Sequence, residues 1–197
     1  FEGSEELRAK ILALPKFGND DDEVDALLVR LWQDISACSA RAGEKVGMAF
    51  FTVSSVNPGG YHMGQQTGAT PDGRLSGQPF AIGHAPTAGQ DTCGITALLN
   101  SVAKVDPANG GAATNIKLSR DYFTPQSRPK VDALFRAFFA QGGLQASVTV
   151  VNQQDLHAAL KEPRKYPHLL VRVGGWSARF IDLEPHVQQD IIRRTAY

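Results

Sequence analysis

Apolar residues recur in two rhythms along this chain. Between residues 20 and 42 the run DDDEVDALLVRLWQDISACSARA sets Val24, Leu27, Leu28, Leu31, Trp32 and Ile35 three and four apart, the spacing of one helix face. Three Asp open the run, where the positive end of a helix dipole favours them. A helix is predicted there, with Cys38 continuing its apolar side. A shorter one is predicted over 4–14, where a Ser precedes two acids and Leu7, Ile11 and Leu14 keep helical spacing. Further helices are predicted over 95–105, over 128–143 with Pro129 in the first turn and Gly142 and Gly143 as the stop, over 153–162 before Pro163, and over 184–195 with Pro185 near its start.

The second rhythm is shorter and richer in branched and aromatic residues. It predicts strands over 46–56 (VGMAFFTVSSV, ending at the turn NPGG), 112–119, 144–152 and 169–173. Residues 57–94 read as one long loop, a length that in a compact protein points to function or to burial against another surface. Strands alternating with helices give an α/β class with a largely parallel sheet.

Composition narrows the partners. The 197 residues hold 20 Lys plus Arg and 20 Asp plus Glu, a formal net charge of zero, so nothing pulls the chain toward nucleic acid or an anionic membrane. A small molecule or another protein is the expected partner. The apolar stretches are too short to span a bilayer and the first residues, FEGSEELRAK, lack the basic start and apolar block of a secretory signal, so a cytoplasmic protein is expected. Phe1 is not an initiator Met, which suggests processing, trimming or an internal start. The Gly-rich text GATPDGR lacks the Gly-Lys-Ser/Thr of a phosphate-binding loop, and no dinucleotide-binding glycine pattern follows a strand. His62 and His84 have no partner at metal-ligand spacing, so no metal site is expected. With only Cys38 and Cys93, the chain builds neither a disulfide framework nor a four-thiolate centre.

One stretch resists this reading. VRVGGWSARF, residues 171–180, looks buried and extended, yet Gly174 and Gly175 at its centre add conformational entropy to the unfolded chain and contribute no packing. Taken alone, such a pair is most often a bulge or a tight bend.

The surrounding text changes that judgement. YPHLLVRVGGWSARFIDLEPHVQQDIIRRT resembles the C-terminal region of the glycyl radical enzymes: Arg172, Val173, Gly175 and the aromatic Trp176 match that family's Arg-Val-x-Gly-aromatic signature. GATPDGRLSGQPF, SVAKVD, GGLQASVTVVN and EPRKYPHL are similar to the family in the same order, from about Leu14 onward. The resemblance implies a ten-stranded α/β barrel in which a glycine loop meets a cysteine loop, this chain supplying later barrel elements and the long loop (1–110) and a glycyl radical domain (111–197) with its radical loop near 172–178. It implies that Gly175 carries the radical, generated by a radical S-adenosylmethionine activating enzyme with an iron-sulfur cluster. Arg172, Gly174, Trp176 and Arg179 are expected to support the loop, Gly174 by leaving room for the activating enzyme to approach the backbone.

The thiyl cysteine of the family has no counterpart here. Cys38 is expected to be a buried structural thiol, and Cys93 stands where the family needs no sulfur. The expected partner is therefore a complementary chain, or a further segment of the same polypeptide, that carries the cysteine loop; both leave strand edges and apolar faces unpaired on this chain. Asn115 and Gln145, polar residues in expected barrel strands, are candidates to face a small-molecule substrate, while Asp72 and Arg74 in TPDGR are read as a structural loop bracing the glycine hairpin. The text near GGWSARF is more similar to the dehydratase, lyase and decarboxylase branches than to the formate-lyase. Two other readings stay open: a spare-part protein that restores an oxygen-cleaved pyruvate formate-lyase, and a non-catalytic scaffold in which the glycines are a bend.

Overall fold

The computed structural model describes residues 2–54, 59–106 and 110–197. Helix α1, Glu5–Ala13, is followed by α2, Asp22–Val46. The Asp21 carboxylate starts α2 by accepting from the N–H groups of Glu23 and Val24, and Gly47 ends it in the left-handed conformation. Next come α3, Gly59–Gln65, and α4, Ile95–Lys104; then strand β1, Thr114–Leu118, helix α5, Arg128–Ala140, and strand β2, Ala146–Val150. The chain continues through α6, Gln153–Lys161, the strands β3, Leu170–Arg172, and β4, Ser177–Arg179, and finally α7, Pro185–Arg193.

Strands β1 and β2 pair in parallel, Asn115 opposite Ser147 and Lys117 opposite Thr149, with α5 as the crossover that parallel strands require. Ser54 adds a single parallel bridge at Ala112. Because side chains alternate across a strand, β1 serves two sides. Ile116 and Leu118 enter a core with Leu98, Leu99 and Val102 of α4 and Phe138 of α5. Asn115 and Lys117 turn the other way, toward a second core in which Val171 and Val173 of the β3–β4 hairpin meet Leu156, Phe180 and Ile191.

Four expectations change. The apolar stripe of α2 exists, but Leu27 (71% exposed), Leu31 and Ile35 face outward, and Cys38 with them. Cys38 is thus an exposed thiol, in contact with the Arg41 guanidinium at 3.0 Å, not a buried one. The reason is that α2 meets the rest of the chain along one edge of the stripe, where Val24, Leu28 and Trp32 are half-buried and fully buried Asp25 reaches Lys104 of α4. The strand expected over 46–56 loses its start to α2, and residues 48–53 join no ladder, leaving Phe50, Phe51 and Val53 exposed. Its last residues, 55 and 56, and the start of the expected turn, Asn57 and Pro58, lie outside the described residues.

The long loop is interrupted by α3 and is otherwise pinned from within. The buried Arg74 guanidinium donates to the carbonyls of Thr67, Gly68, Leu75 and Gln78 and lies 4.4 Å from the centre of the Phe80 ring. Asp72 is exposed and accepts from the Thr70 hydroxyl. Buried His84 stands edge-on to Trp32 at 5.0 Å, and its desolvation holds its pKa below the ordinary imidazole value. Exposed His62 lies 6.0 Å from the His186 ring. Among the described residues no helix is long and apolar enough to cross a membrane.

Candidate active site

The double glycine is the turn of the β3–β4 hairpin. Arg172 pairs with Ser177, and the Val173 N–H donates to the Trp176 carbonyl at 3.0 Å, so Gly174 and Gly175 are the two residues between. Neither glycine is among those with a positive φ, so backbone angles alone do not require glycine at this turn. Gly174 is buried, whereas Gly175 and Trp176 are exposed on this chain. The strands behind the turn are seated by the buried side chains of Val171, Val173 and Phe180.

Side chains hold the hairpin backbone to the rest of the fold. The Arg172 N–H donates to Thr149 Oγ1 of β2 at 3.0 Å, and the Arg172 guanidinium reaches the Ser177 hydroxyl at 3.3 Å across the hairpin. Arg172 Nε is buried without a hydrogen-bond partner. Arg179 pairs with Asp182 at 2.6 Å, tying β4 to the turn after it. The carbonyls of Arg172 and Val173, immediately before the glycines, accept from Arg194 Nη1 at 3.0 Å and Nη2 at 2.7 Å.

Arg194 is itself fixed from two sides. Its Nε donates to Asp190 Oδ2 at 3.0 Å, its Nη2 to the Tyr61 hydroxyl at 2.8 Å, and that hydroxyl donates to Asp190 Oδ2 at 2.8 Å. Burial raises the Tyr61 phenol above its ordinary pKa, so it stays a donor. Lys117 caps α7: its Nζ donates to the carbonyls of Ile191 and Ile192 at 3.0 and 3.3 Å and to Gln153 Oε1 at 2.8 Å. Desolvation, and then the nearby charge of Arg194, bring the Lys117 pKa down to about 8. Beyond α7, Tyr197 bonds to β1, its N–H donating to the Lys117 carbonyl at 3.1 Å and its carbonyl accepting from the Ser119 N–H at 2.6 Å.

A cavity of about 600 Å3 opens beside this network, with Asn115, Lys117, Thr149, Arg172, Asp190 and Arg194 on its wall. Both amide atoms of Asn115 are buried without a partner, so this side chain has unused donor and acceptor capacity. Gln145 is engaged locally, accepting from the Thr114 N–H at 3.1 Å and donating to the Ser147 hydroxyl at 2.6 Å. The sequence therefore brings Arg172, Gly174, Gly175 and Trp176 together as a pattern, while Tyr61, Lys117, Asp190 and Arg194 escape it. The one available signal for the last pair was an acid on α7 and a base four residues later, just past the helix end, flanking the buried Ile191 and Ile192.

Known proteins resemble this chain in sequence and in fold. A family profile described as "Glycine radical" matches residues 80–181, and one described as "Pyruvate formate lyase-like" matches residues 1–59. The "Probable dehydratase YbiW" of Escherichia coli is 38% identical over 98% of this chain and 25% of its own length. The indoleacetate decarboxylase of Tractidigestivibacter scatoligenes is 35% identical over 98% of this chain and 22% of its own. The glycerol-bound glycerol dehydratase of Clostridium butyricum superposes with a TM-score of 0.91 at 38% identity, covering all of this chain and 25% of that one. The chain thus spans about a quarter of the length of the relatives it matches. With a glycine-radical match over residues 80–181 and this structural likeness, the chain belongs to the glycyl radical enzymes.

Proposed function

We propose that this chain is the radical-bearing portion of a glycyl radical lyase or dehydratase and that the radical resides on the α carbon of Gly175. The observation that carries the reading is the position of Gly175: it occupies the signature place and sits at an exposed turn whose preceding peptides are clamped. Loss of one α hydrogen leaves a carbon that flattens and conjugates with the amides on either side. A side chain there would crowd the planar form, so glycine is the residue that gives it without strain.

In this reading an S-adenosylmethionine-dependent activating enzyme with an iron-sulfur cluster removes the hydrogen atom. In each turnover the Gly175 carbon takes a hydrogen atom from a cysteine S–H, becoming ordinary glycine and leaving a thiyl radical. The thiyl takes a hydrogen atom from the substrate, and both transfers reverse once product has formed. The protein's part is to exclude water and oxygen and to hold the reacting atoms in place.

The cysteine lies on a complementary chain or further segment that completes a ten-stranded barrel, of which residues 1–110 supply later elements and residues 111–197 the glycine domain. The exposed stripe of α2 and the exposed Phe50, Phe51 and Val53 supply apolar surface for that complement. The dehydratase relatives support a small-molecule substrate that loses a leaving group beside a hydroxyl-bearing carbon; Asn115, unpartnered on the cavity wall, is the side chain we assign to face it.

The test is anaerobic activation of the assembled enzyme followed by electron paramagnetic resonance. A doublet from the one remaining α hydrogen is expected, and Gly175→Ala is expected to abolish it. A doublet that survives in Gly175→Ala assigns the radical elsewhere and refutes the reading.

A further inference from the structure

The geometry points to Arg194 as the positioning residue of the glycine turn: one guanidinium, fixed by Asp190 and Tyr61, seats the turn by holding the two carbonyls that precede it. This rests on Gly175 being the reactive position.

Strand β3 is bonded to β4 as a ladder, and its backbone reaches the body of the fold through side chains, Thr149 on one side and Arg194 on the other. A side-chain attachment holds a hairpin at a few points, so each point has a large share of its placement. Arg194 has the geometry for this. Nη1 and Nη2 meet successive carbonyls at 3.0 and 2.7 Å, which uses the planar fork that distinguishes arginine from lysine. Nε and the second hydrogen of Nη2 go to Asp190 and Tyr61, so four of its five N–H donors have named acceptors and the plane of the group is set.

The clamp also joins distant parts of the chain. Tyr61 lies in α3, the carbonyls in β3, Asp190 in α7 and Arg194 just beyond it, so a displacement of any of them is passed to the turn. Hydrogen-atom transfer needs the reacting atoms within about 3–3.5 Å, and a misplacement of about 1 Å costs on the order of 100-fold in rate. Arg194 touches no reacting atom; it sets where Gly175 stands.

The test is backbone hydrogen exchange on the assembled enzyme before activation, comparing peptides over 170–179 with control peptides from α4 and α5. Arg194→Ala is expected to speed exchange over 170–179 at least about tenfold and leave the controls unchanged. Low-millimolar guanidinium ion is expected to restore the protection, and methylammonium is not, because only guanidinium reproduces the fork. Arg194→Lys keeps the charge and is expected to give the same local exposure if the alanine variant proves too damaged to assemble. Unchanged exchange over 170–179 in the lysine variant, or exchange that rises equally in the controls, overturns the assignment. These outcomes are independent of the radical: loss of the doublet from the unmodified enzyme sinks the proposed function and leaves the clamp standing.

Discussion

Helix α3 gives a paired test of how tightly the clamp depends on its surroundings. A Cβ added at Gly64 would stand 2.3 Å from the Gln78 carbonyl oxygen and 2.8 Å from Pro79 Cα, both backbone atoms. Carbon and oxygen settle at about 3.3 Å or more, so α3 or residues 78–79 must move by about 1 Å. At Gly60, one turn earlier, the nearest atom is Ile82 Cγ1 at 3.6 Å, an ordinary contact. Alanine gains up to about 1 kcal/mol over glycine in a helix interior, and forced overpacking costs about 1–3 kcal/mol. Gly64→Ala is therefore expected to destabilise α3 by about 2 kcal/mol, since a backbone carbonyl yields less than a side-chain end. Gly60→Ala is expected to be neutral or to stabilise it by up to about 1 kcal/mol. In local hydrogen exchange over 59–67 these become about 30-fold faster and up to about fivefold slower. Tyr61 shares the helix, so Gly64→Ala is also expected to stretch its 2.8 Å bonds to Asp190 and Arg194 and to speed exchange over 170–179. The same sign of change for both alanine variants would refute the steric reasoning.

Two further expectations concern buried charge. Lys117 releases its proton near 8 in the folded chain, against an ordinary value of 10.5. Between those values the unfolded chain binds more protons, so stability is expected to rise with pH from about 8 to about 10.5, by roughly 3 kcal/mol at most. Below 8 the penalty is fully present. Urea midpoints across that window should show the slope, and Lys117→Met should flatten it. At the end of α4, Lys104 resists the desolvation that would lower its pKa because bonds to Asp20, Asp22 and Asp25 raise it. Lys104→Met strands the fully buried Asp25 carboxylate and is expected to cost about 3–5 kcal/mol in urea denaturation, part of it recovered by adding Asp25→Asn.

The parts of the fold that were legible are those whose signals are local. Helix α5 has Pro129 in its first turn and a left-handed Gly142 just past its end, and β1 and β2 fall within their predicted ranges. Periodicity also identified α2, but not which way its stripe faces: Leu27 and Leu31 belong to an apolar face that no part of this chain covers among the described residues. Residues 48–53 have the composition of a strand and, within this chain, one bridge at Ser54 to show for it, because a ladder needs a partner and composition does not supply one. Helix α3 was missed because three of its seven residues are glycine. At the candidate site the glycines announce themselves by spacing, whereas Tyr61 and Arg194 are 133 positions apart and meet only in the folded chain.

The clamp lies on the far side of the turn from the strand it holds, and this bears on damage. If the backbone were severed at Gly175, as oxygen attack on a carbon radical would do, residues 176–197 would lose their covalent link. They would remain docked through buried Phe180, Ile191 and Ile192, and through Arg194 still gripping the carbonyls of Arg172 and Val173. A nicked molecule would elute at the size of an intact one, and the lesion would show only under denaturing conditions. Exchanging the broken piece for a fresh copy would require prying open a hydrophobic core, so repair by replacement would be slow even where it is thermodynamically allowed.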